Sequence, residues 1–197
     1  DMEVSRASVR EAIKALEVMG IVKSIQGSGN YITDNPDSTI NRPLCALFAL
    51  DDGTLDNLLQ LRIMLEVEAC KDIVKTASDD DIALLSKLAS YDYDSLPISE
   101  QAIRDSAFHR GIVQMSHNTL VKYLYTTLAQ LMDASRVRVL SATADRGENY
   151  ITRDDHAAIV SALAHRDAAG AEAALHQHLE LNREYREMLD MPYRKFM

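Results

Sequence analysis

The chain has 197 residues, which is enough for one medium domain or for a small domain joined to a larger one. With 47% hydrophobic and 26% charged residues it has the composition of an ordinary globular protein, and it contains neither a membrane-spanning apolar run nor a secretory signal pattern. The net charge of −9 argues against nucleic acid as a partner of the chain as a whole. Cys45 and Cys70 lie in apolar helical context, which favours reduced core residues of a cytoplasmic protein.

The charge is distributed unevenly along the chain. Residues 1–33 are neutral, because four basic residues stand against four acidic ones: Arg6, Arg10, Lys14 and Lys23 against Asp1, Glu3, Glu11 and Glu17. The rest of the chain therefore carries the whole charge of −9. This division predicts a DNA-facing segment attached to an acidic domain.

The first predicted element is a helix that begins after Ser5, a good N-cap residue, and runs to about Met19. Gly20 is a suitable residue to end it. Basic side chains recur at every fourth position of this helix: Arg6, Arg10 and Lys14. Spacing alone leaves two interpretations open, a solvated helix face broken up by acidic residues or a surface that contacts DNA.

A short hairpin follows the basic helix. Residues 21–25 predict one strand, residues 26–29 form a turn with two glycines, and residues 30–33 predict a second strand. A basic helix followed directly by a glycine-tipped hairpin is typical of the end of a winged helix-turn-helix domain. In such a domain the helix enters the major groove and the wing contacts the backbone or the minor groove.

Residues 4–33 resemble the end of the DNA-binding domain of the GntR family of bacterial transcription regulators. The motifs that carry the resemblance are VSRASVREAI from Val4, Leu16, GIV from Gly20 and QGSG from Gln26. The family has further helices before this point, so we expect residues 1–33 to be the C-terminal part of a winged helix-turn-helix domain.

The resemblance also implies roles for individual side chains. Phosphates and base edges would be contacted by Ser5, Arg6, Ser8 and Arg10, and the wing tip would be formed by Gln26 and Gly27. Arg6 and Arg10 are the best candidates for guanine, because a guanidinium can bond two acceptors at once. Lys14 is expected to contribute evenly across DNA sequences.

The remaining chain predicts helices only. Residues 34–41 are polar and rich in turn formers and are interpreted as a linker to a second domain at residues 42–197. Pro43 opens a short apolar helix that ends near Leu50, and Thr54 caps a long one. Later helices are predicted at about 79–90, 98–115, 119–140, 147–165 and 167–188. The predicted fold is mostly α: a partial winged helix-turn-helix followed by an all-α antiparallel bundle of six or seven helices.

A set of histidines lies on these helices. Asp105 and His109 are four residues apart and therefore share a helix face, and His156 and His178 lie in the middle of later helices. His176 points away from His178, because two residues correspond to about 200° around a helix. Three imidazoles and a carboxylate from three helices suit Zn²⁺, Ni²⁺ or Fe²⁺ and bind Mn²⁺ more weakly. The alternative is that these are unrelated core and surface residues.

A second resemblance bears on this choice. Residues 62–66 (RIMLE), 105–109 (DSAFH), the NTL turn at 118–120, HAAI at 156–159 and the HL pair at 178–179 resemble the FadR C-terminal (FCD) effector domain. Metal-binding members of that family use an Asp, a His four residues later and two further His residues. The resemblance therefore implies one divalent transition metal ion per chain, held by Asp105, His109, His156 and His178.

The family also implies a small organic acid as effector, since a bound cation needs anionic oxygen ligands to complete its shell. Arg62 is the best second anchor, although an ion pair with Glu66 is an equally good interpretation. Further candidates are Asn182, one turn after His178, and Arg136 and Arg138.

The predicted function is that of a ligand-responsive transcription regulator. It would bind double-stranded operator DNA as a homodimer and would have no membrane partner. Two alternatives are a metal-dependent, hydrolase-like enzyme on a helical bundle and a binding bundle with a structural metal. The sequence contains no motif that supplies a separate general base, and the enzyme alternative leaves the wing unexplained.

Overall fold

The structure is a computed structural model that describes residues 4–33, 44, 46–48, 50, 51, 53–91, 95–144 and 153–180. The chain divides into two compact units, Asp1–Phe48 and Ala49–Met197. The proposed linker at residues 34–41 lies outside the described residues. Within the described ranges, no helix is both long enough and apolar enough to cross a membrane.

Residues 4–33 of the first unit form one helix and a hairpin. Helix α1 spans Arg6–Val18, and the hydroxyl of Ser5 accepts a hydrogen bond from the backbone N–H of Ser8 at 3.1 Å, as expected of an N-cap. The helix ends before Gly20, whose φ of 65° is readily adopted only by glycine.

Two antiparallel strands form the hairpin, β1 at Val22–Ile25 and β2 at Gly29–Ile32. Val22 lies opposite Ile32, and Ile25 lies opposite Gly29. The predicted helix and hairpin are therefore present, with boundaries within a residue or two of those expected.

The second unit contains six helices in its described ranges. They are α2 (Leu55–Thr76), α3 (Asp79–Ala89), α4 (Ile98–Met115), α5 (Thr119–Ala144), α6 (Arg153–Ala164) and α7 (Ala168–Glu180). Within the described residues the strands are confined to the first unit. The prediction of a mostly α fold is confirmed. Residues 44, 46–48 and 50 are helical, which agrees with the short apolar helix expected before the bundle.

Local sequence explains where several of these helices begin. A reciprocal capping box begins α2: the hydroxyl of Thr54 accepts a hydrogen bond from the backbone N–H of Asn57, and the side chain of Asn57 accepts one from the backbone N–H of Thr54. Ser78 and Asp81 form the same kind of capping box before α3. Asn118 caps α5, because its side-chain oxygen accepts hydrogen bonds from two backbone N–H groups of the first turn.

Helix α2 is the central element of the bundle and contacts α4, α5, α6 and α7. Its buried face carries apolar residues at helical spacing: Leu55, Leu58, Leu59, Ile63, Leu65, Val67, Ala69, Cys70 and Ile73. Full burial of one large apolar side chain of this kind contributes about 1.5–3 kcal/mol. Arg62 and Glu66 are in phase with this face and are buried as well, so α2 carries an ion pair into the core.

Two close contacts set the positions of α4 and α7. A Cβ added at Gly111 of α4 would lie 2.8 Å from the side chain of Leu88, so glycine allows α4 to approach α3 closely next to His109. In the turn before α7, Arg166 has a φ of 60° and its guanidinium donates to two backbone oxygens at the end of α2, those of Ile73 and Ala77. These contacts hold α4 against α3 and the start of α7 against the end of α2.

Candidate functional site

Four side chains from three helices converge inside the bundle. Asp105 and His109 lie one turn apart on α4, His156 lies on α6 and His178 lies on α7. All four are buried, and both His109 and His156 are completely inaccessible to solvent. One ligand atom from each residue lies within 4.8 Å of those from the other three. The structure thus brings together the four residues that the sequence placed in one set.

The ligand atoms are the three imidazole Nε2 atoms and one carboxylate oxygen. Asp105 Oδ1 lies 3.3 Å from His109 Nε2, 3.2 Å from His156 Nε2 and 3.8 Å from His178 Nε2. His178 Nε2 is 3.1 Å from His109 Nε2 and 3.3 Å from His156 Nε2. Metal–ligand distances of about 2.0–2.2 Å place neighbouring ligand atoms about 3–3.5 Å apart in common geometries, so this arrangement fits a transition-metal ion.

Two outward-facing atoms of the cluster, one on His109 and one on Asp105, have close partners of their own. His109 Nδ1 lies 2.5 Å from Glu66 Oε2, and Asp105 Oδ2 forms an ion pair with the guanidinium of Arg136. His178 Nδ1 lies 3.7 Å from a carboxylate oxygen of Asp155, which is beyond hydrogen-bond length. Such outer contacts orient metal ligands and select the imidazole tautomer.

The electrostatic environment favours the ligand forms of Asp105 and His156. Burial lowers the pKa of His156 to about 3, so this ring is neutral near pH 7. Burial alone would raise the pKa of Asp105, but Arg136 and His109 outweigh it and hold the pKa well below its usual range. His178 differs: burial lowers its pKa, but the carboxylates of Asp105 and Asp155 outweigh this effect and raise the pKa above its usual value.

Two buried guanidinium groups border the cluster. Arg62 Nε donates to Glu66 Oε1 at 2.7 Å. This is the ion pair that the sequence analysis gave as the alternative to a role of Arg62 in effector binding. Arg62 Nη2 lies 3.8 Å from Asp105 Oδ2, and neither this atom nor Arg136 Nη2 has a hydrogen-bond partner within the part of the chain that the structure describes. A buried N–H group without a hydrogen-bond partner costs free energy. An anion that accepted from Arg62 Nη2 and Arg136 Nη2 would remove this cost.

Other predicted effector contacts are not placed. Asn182 lies outside the described residues, and so does the side chain of Arg138, although its backbone belongs to α5.

Among the remaining histidines, His117 lies in the turn before α5, where its Nδ1 is 3.2 Å from the hydroxyl of Thr76. His165 follows α6, and its Nδ1 donates to the carbonyl oxygen of Ser161 at 2.8 Å. Neither belongs to the cluster.

The structure adds participants that the sequence analysis missed. Glu66 had been considered only as a partner of Arg62, but it also contacts His109 and accepts a hydrogen bond from the Tyr125 hydroxyl at 3.1 Å. The signal was available, because a charged residue in phase with the buried face of α2 must find partners in the core. Asp133 pairs with Arg136 at 2.6 Å, an i,i+3 relation on one helix that the sequence analysis did not consider.

The basic row of α1 is exposed. Within that row Lys14 pairs with Glu11 at 3.3 Å, an exposed contact of small energetic value. The Ser5 hydroxyl is 2.9 Å from that of Ser8, so both hydroxyls lie at the helix N-terminus, where backbone N–H groups suit a phosphate.

At the tip of the hairpin, Gln26 and Gly27 lie in the turn, and Gly27 has a φ of 78°. A Cβ added at Gly27 would meet no atom within 4 Å, so glycine is required there by backbone conformation and not by space.

Comparisons with known proteins agree with this architecture. The FCD domain family matches residues 57–181. The HTH-type transcriptional regulator LutR of Bacillus subtilis is 29% identical over 186 residues, covering 90% of this chain and 82% of LutR. The HTH-type transcriptional repressor NanR of Klebsiella aerogenes is 31% identical over 181 residues, covering 90% of this chain and 69% of NanR. A solved structure, Streptococcus agalactiae GntR, superimposes with a TM-score of 0.65 over 94% of this chain and 84% of its own, at 22% identity.

The fold and the matched family define a helical FCD domain that follows a unit with a helix and a hairpin. The chain belongs to the GntR family of transcription regulators, in the group with an FCD domain. It is a regulator and not an enzyme, which excludes the hydrolase-like alternative.

Proposed function

We propose that this regulator binds one divalent transition metal ion through Asp105, His109, His156 and His178, and that a small carboxylate effector binds beside the metal. The observation that carries the proposal is the convergence of three buried imidazole nitrogens and one carboxylate oxygen in the bundle core. Imidazole and carboxylate ligands suit Zn²⁺, Ni²⁺ or Fe²⁺ and, more weakly, Mn²⁺.

The proposed effector is an anion for reasons of charge. A divalent ion with four protein ligands has room for further oxygen ligands when it is five- or six-coordinate, and it prefers anionic oxygen. Arg62 Nη2 and Arg136 Nη2 offer unpartnered donors next to Asp105, and a guanidinium binds a carboxylate in a fixed geometry. Arg138 and Asn182 remain candidates for further contacts.

The proposed DNA contacts come from the headpiece. Arg6 and Arg10 would contact base edges in operator DNA, and Lys14 would contact the phosphate backbone. The capped N-terminus of α1 at Ser5 and Ser8 and the wing tip at Gln26 and Gly27 would also contact the backbone. We propose a cytoplasmic homodimer on a two-fold operator, in which acid and DNA change each other's affinity equally by linkage.

Metal analysis tests the ligand set. Wild-type protein should contain close to one equivalent of metal, while His109→Ala and His178→Ala should lose it, because each substitution removes one ligand. His165→Ala is the matched control, since His165 is exposed and bonded to its own helix. Retention of full metal content by both His109→Ala and His178→Ala would show that the ligand set is wrong.

Calorimetry tests the effector site. A small mono- or dicarboxylic acid should bind the metal-loaded chain, and Arg62→Ala should weaken that binding by about 2–5 kcal/mol because it removes one partner of a buried charge pair. The corresponding amides should bind poorly, and chelation should abolish binding of the acid. Equal binding of the acid by the metal-free protein would assign the metal a structural role.

A further inference from the structure

We propose that Glu66, a residue outside the ligand set, positions two parts of the site at once: the imidazole of His109 and the guanidinium of Arg62. This inference rests on the proposed function, because it assigns Glu66 a role towards the same metal and the same acid. Glu66 lies on α2 and is completely buried, with three polar partners, one from each of α2, α4 and α5.

The first contact determines which nitrogen of His109 faces the cluster. Glu66 Oε2 lies 2.5 Å from His109 Nδ1, and a carboxylate only accepts hydrogen bonds, so Nδ1 carries the hydrogen. In the neutral form of the ring, which is the form that binds a metal, this is the single N–H, so His109 Nε2 presents its lone pair towards Asp105, His156 and His178. This is the tautomer that a metal ion requires.

The second contact orients the proposed acid anchor. Glu66 Oε1 accepts from Arg62 Nε at 2.7 Å and from the Tyr125 hydroxyl at 3.1 Å. Because the guanidinium is planar, fixing Nε also fixes the direction of Nη2, which lies 3.8 Å from Asp105 Oδ2 without a hydrogen-bond partner. One carboxylate thus orients a metal ligand and an anion anchor on the same side of the cluster.

An amide cannot replace this carboxylate. Glutamine has the same size, but its oxygen can face only one of the two donors, and its NH₂ group then meets the other. If the NH₂ group faces His109, the ring must adopt the opposite tautomer, which places a hydrogen on Nε2 where the metal would bind. The amide oxygen takes the Arg62 side, because Arg62 Nε and the Tyr125 hydroxyl both donate there and an NH₂ group cannot accept from either. Glu66→Gln therefore turns its NH₂ group towards His109 and disturbs this metal ligand without changing volume.

A competition titration with Zn²⁺ tests the role of Glu66 in the full chain. Glu66→Gln should bind Zn²⁺ about 10–100-fold more weakly than wild type, the effect typical of losing an outer contact to a metal ligand. Glu68→Gln is the control, because Glu68 is exposed on the same helix and undergoes the same chemical change. The visible spectrum of the Co²⁺ form should change in Glu66→Gln and not in Glu68→Gln, a signature that a loss of stability alone would not produce.

Nitrogen-15 NMR of the metal-free wild-type chain provides a test that does not depend on folding of the variant. The His109 ring, assigned by comparison with His109→Ala, should show the hydrogen on Nδ1. A hydrogen on Nε2, or wild-type Zn²⁺ affinity in folded Glu66→Gln, would overturn the inference. Failure of the proposed function has a different outcome: wild type would bind no Zn²⁺ while the NMR measurement still reported whether Glu66 holds His109.

Discussion

The buried ion pair between Arg62 and Glu66 allows a sharp prediction about stability. In metal-free protein, Arg62→Met replaces the guanidinium by an apolar chain of similar length, so little cavity forms, but Glu66 loses its charged partner in the core. Breaking a buried pair in this way costs about 3–5 kcal/mol. Glu66 retains His109 and Tyr125 as donors, so we expect the lower end of that range, about 3 kcal/mol.

This loss is large enough to measure by urea unfolding or thermal melting. A cost of about 3 kcal/mol corresponds to a fall in Tm of about 6–12 °C for a domain of roughly 150 residues. The chain offers a matched control in Arg104, whose Nε lies 2.7 Å from Glu100 Oε1 with the same i,i+4 relation, but on the surface of α4. Arg104→Met should lower Tm far less, because water solvates the carboxylate of Glu100 once its partner is gone.

The comparison of the two arginines also defines the result that would refute this reasoning. Equal losses of stability in Arg62→Met and Arg104→Met would mean that burial does not make the Arg62–Glu66 pair costly to break. A gain of stability in Arg62→Met would mean that desolvation of the pair outweighs its attraction.

Three further predictions concern other parts of the chain. In urea unfolding, Arg166→Ala should be less stable than Arg166→Gly by about 1 kcal/mol. Both variants lose the contacts to the end of α2, but only glycine adopts the φ of 60° found at this position without strain. The pKa of Asp72 is lowered chiefly by the backbone N–H of His117, so the stability that this carboxylate contributes is present above its usual pKa and is lost as pH falls through its lowered value. The free energy of unfolding of Asp72→Asn should consequently differ from that of wild type at pH 7, and the two values should converge in acid. A difference in the free energy of unfolding that does not depend on pH would contradict this. In DNA-binding titrations, Arg6→Ala and Arg10→Ala should each weaken specific binding by about 1–3 kcal/mol, whereas Lys14→Ala should weaken binding to all sequences alike. If Arg10→Ala binds operator and random DNA as wild type does, α1 is not the recognition helix.

Much of the fold was predictable because its signals are local. Ser5 and Thr54 were predicted to cap α1 and α2, and each makes its capping contact in the structure. Short polar turns separate long apolar stripes, so the number and approximate bounds of the helices follow from periodicity. The hairpin at residues 22–32 was predictable from the two glycines of its turn, and Gly27 there adopts the positive φ that favours glycine.

Part of the candidate site was also predictable, because a helix fixes the relative direction of its own side chains. The 3.6-residue period places Asp105 and His109 on one face, and it separates His178 from His176 by more than half a turn. In the structure His178 is 2% exposed and belongs to the cluster, whereas His176 is only half-buried and does not. These relations needed no knowledge of the rest of the molecule.

Contacts between helices were decided only by the tertiary structure. The 3.6-residue period of a helix does not predict which residue of α2 contacts His109 on α4. The sequence analysis therefore assigned Glu66 only to Arg62, its neighbour on the same helix. The pairing of Arg136 with Asp105 depends likewise on how far α5 slides along α4. Other contacts between helices are of the same kind: α4 approaches α3 closely at Gly111, and the guanidinium of Arg166 joins the turn before α7 to the end of α2. Sequence thus determined the direction of each ligand on its helix, and the packing of the helices determined which of those ligands meet.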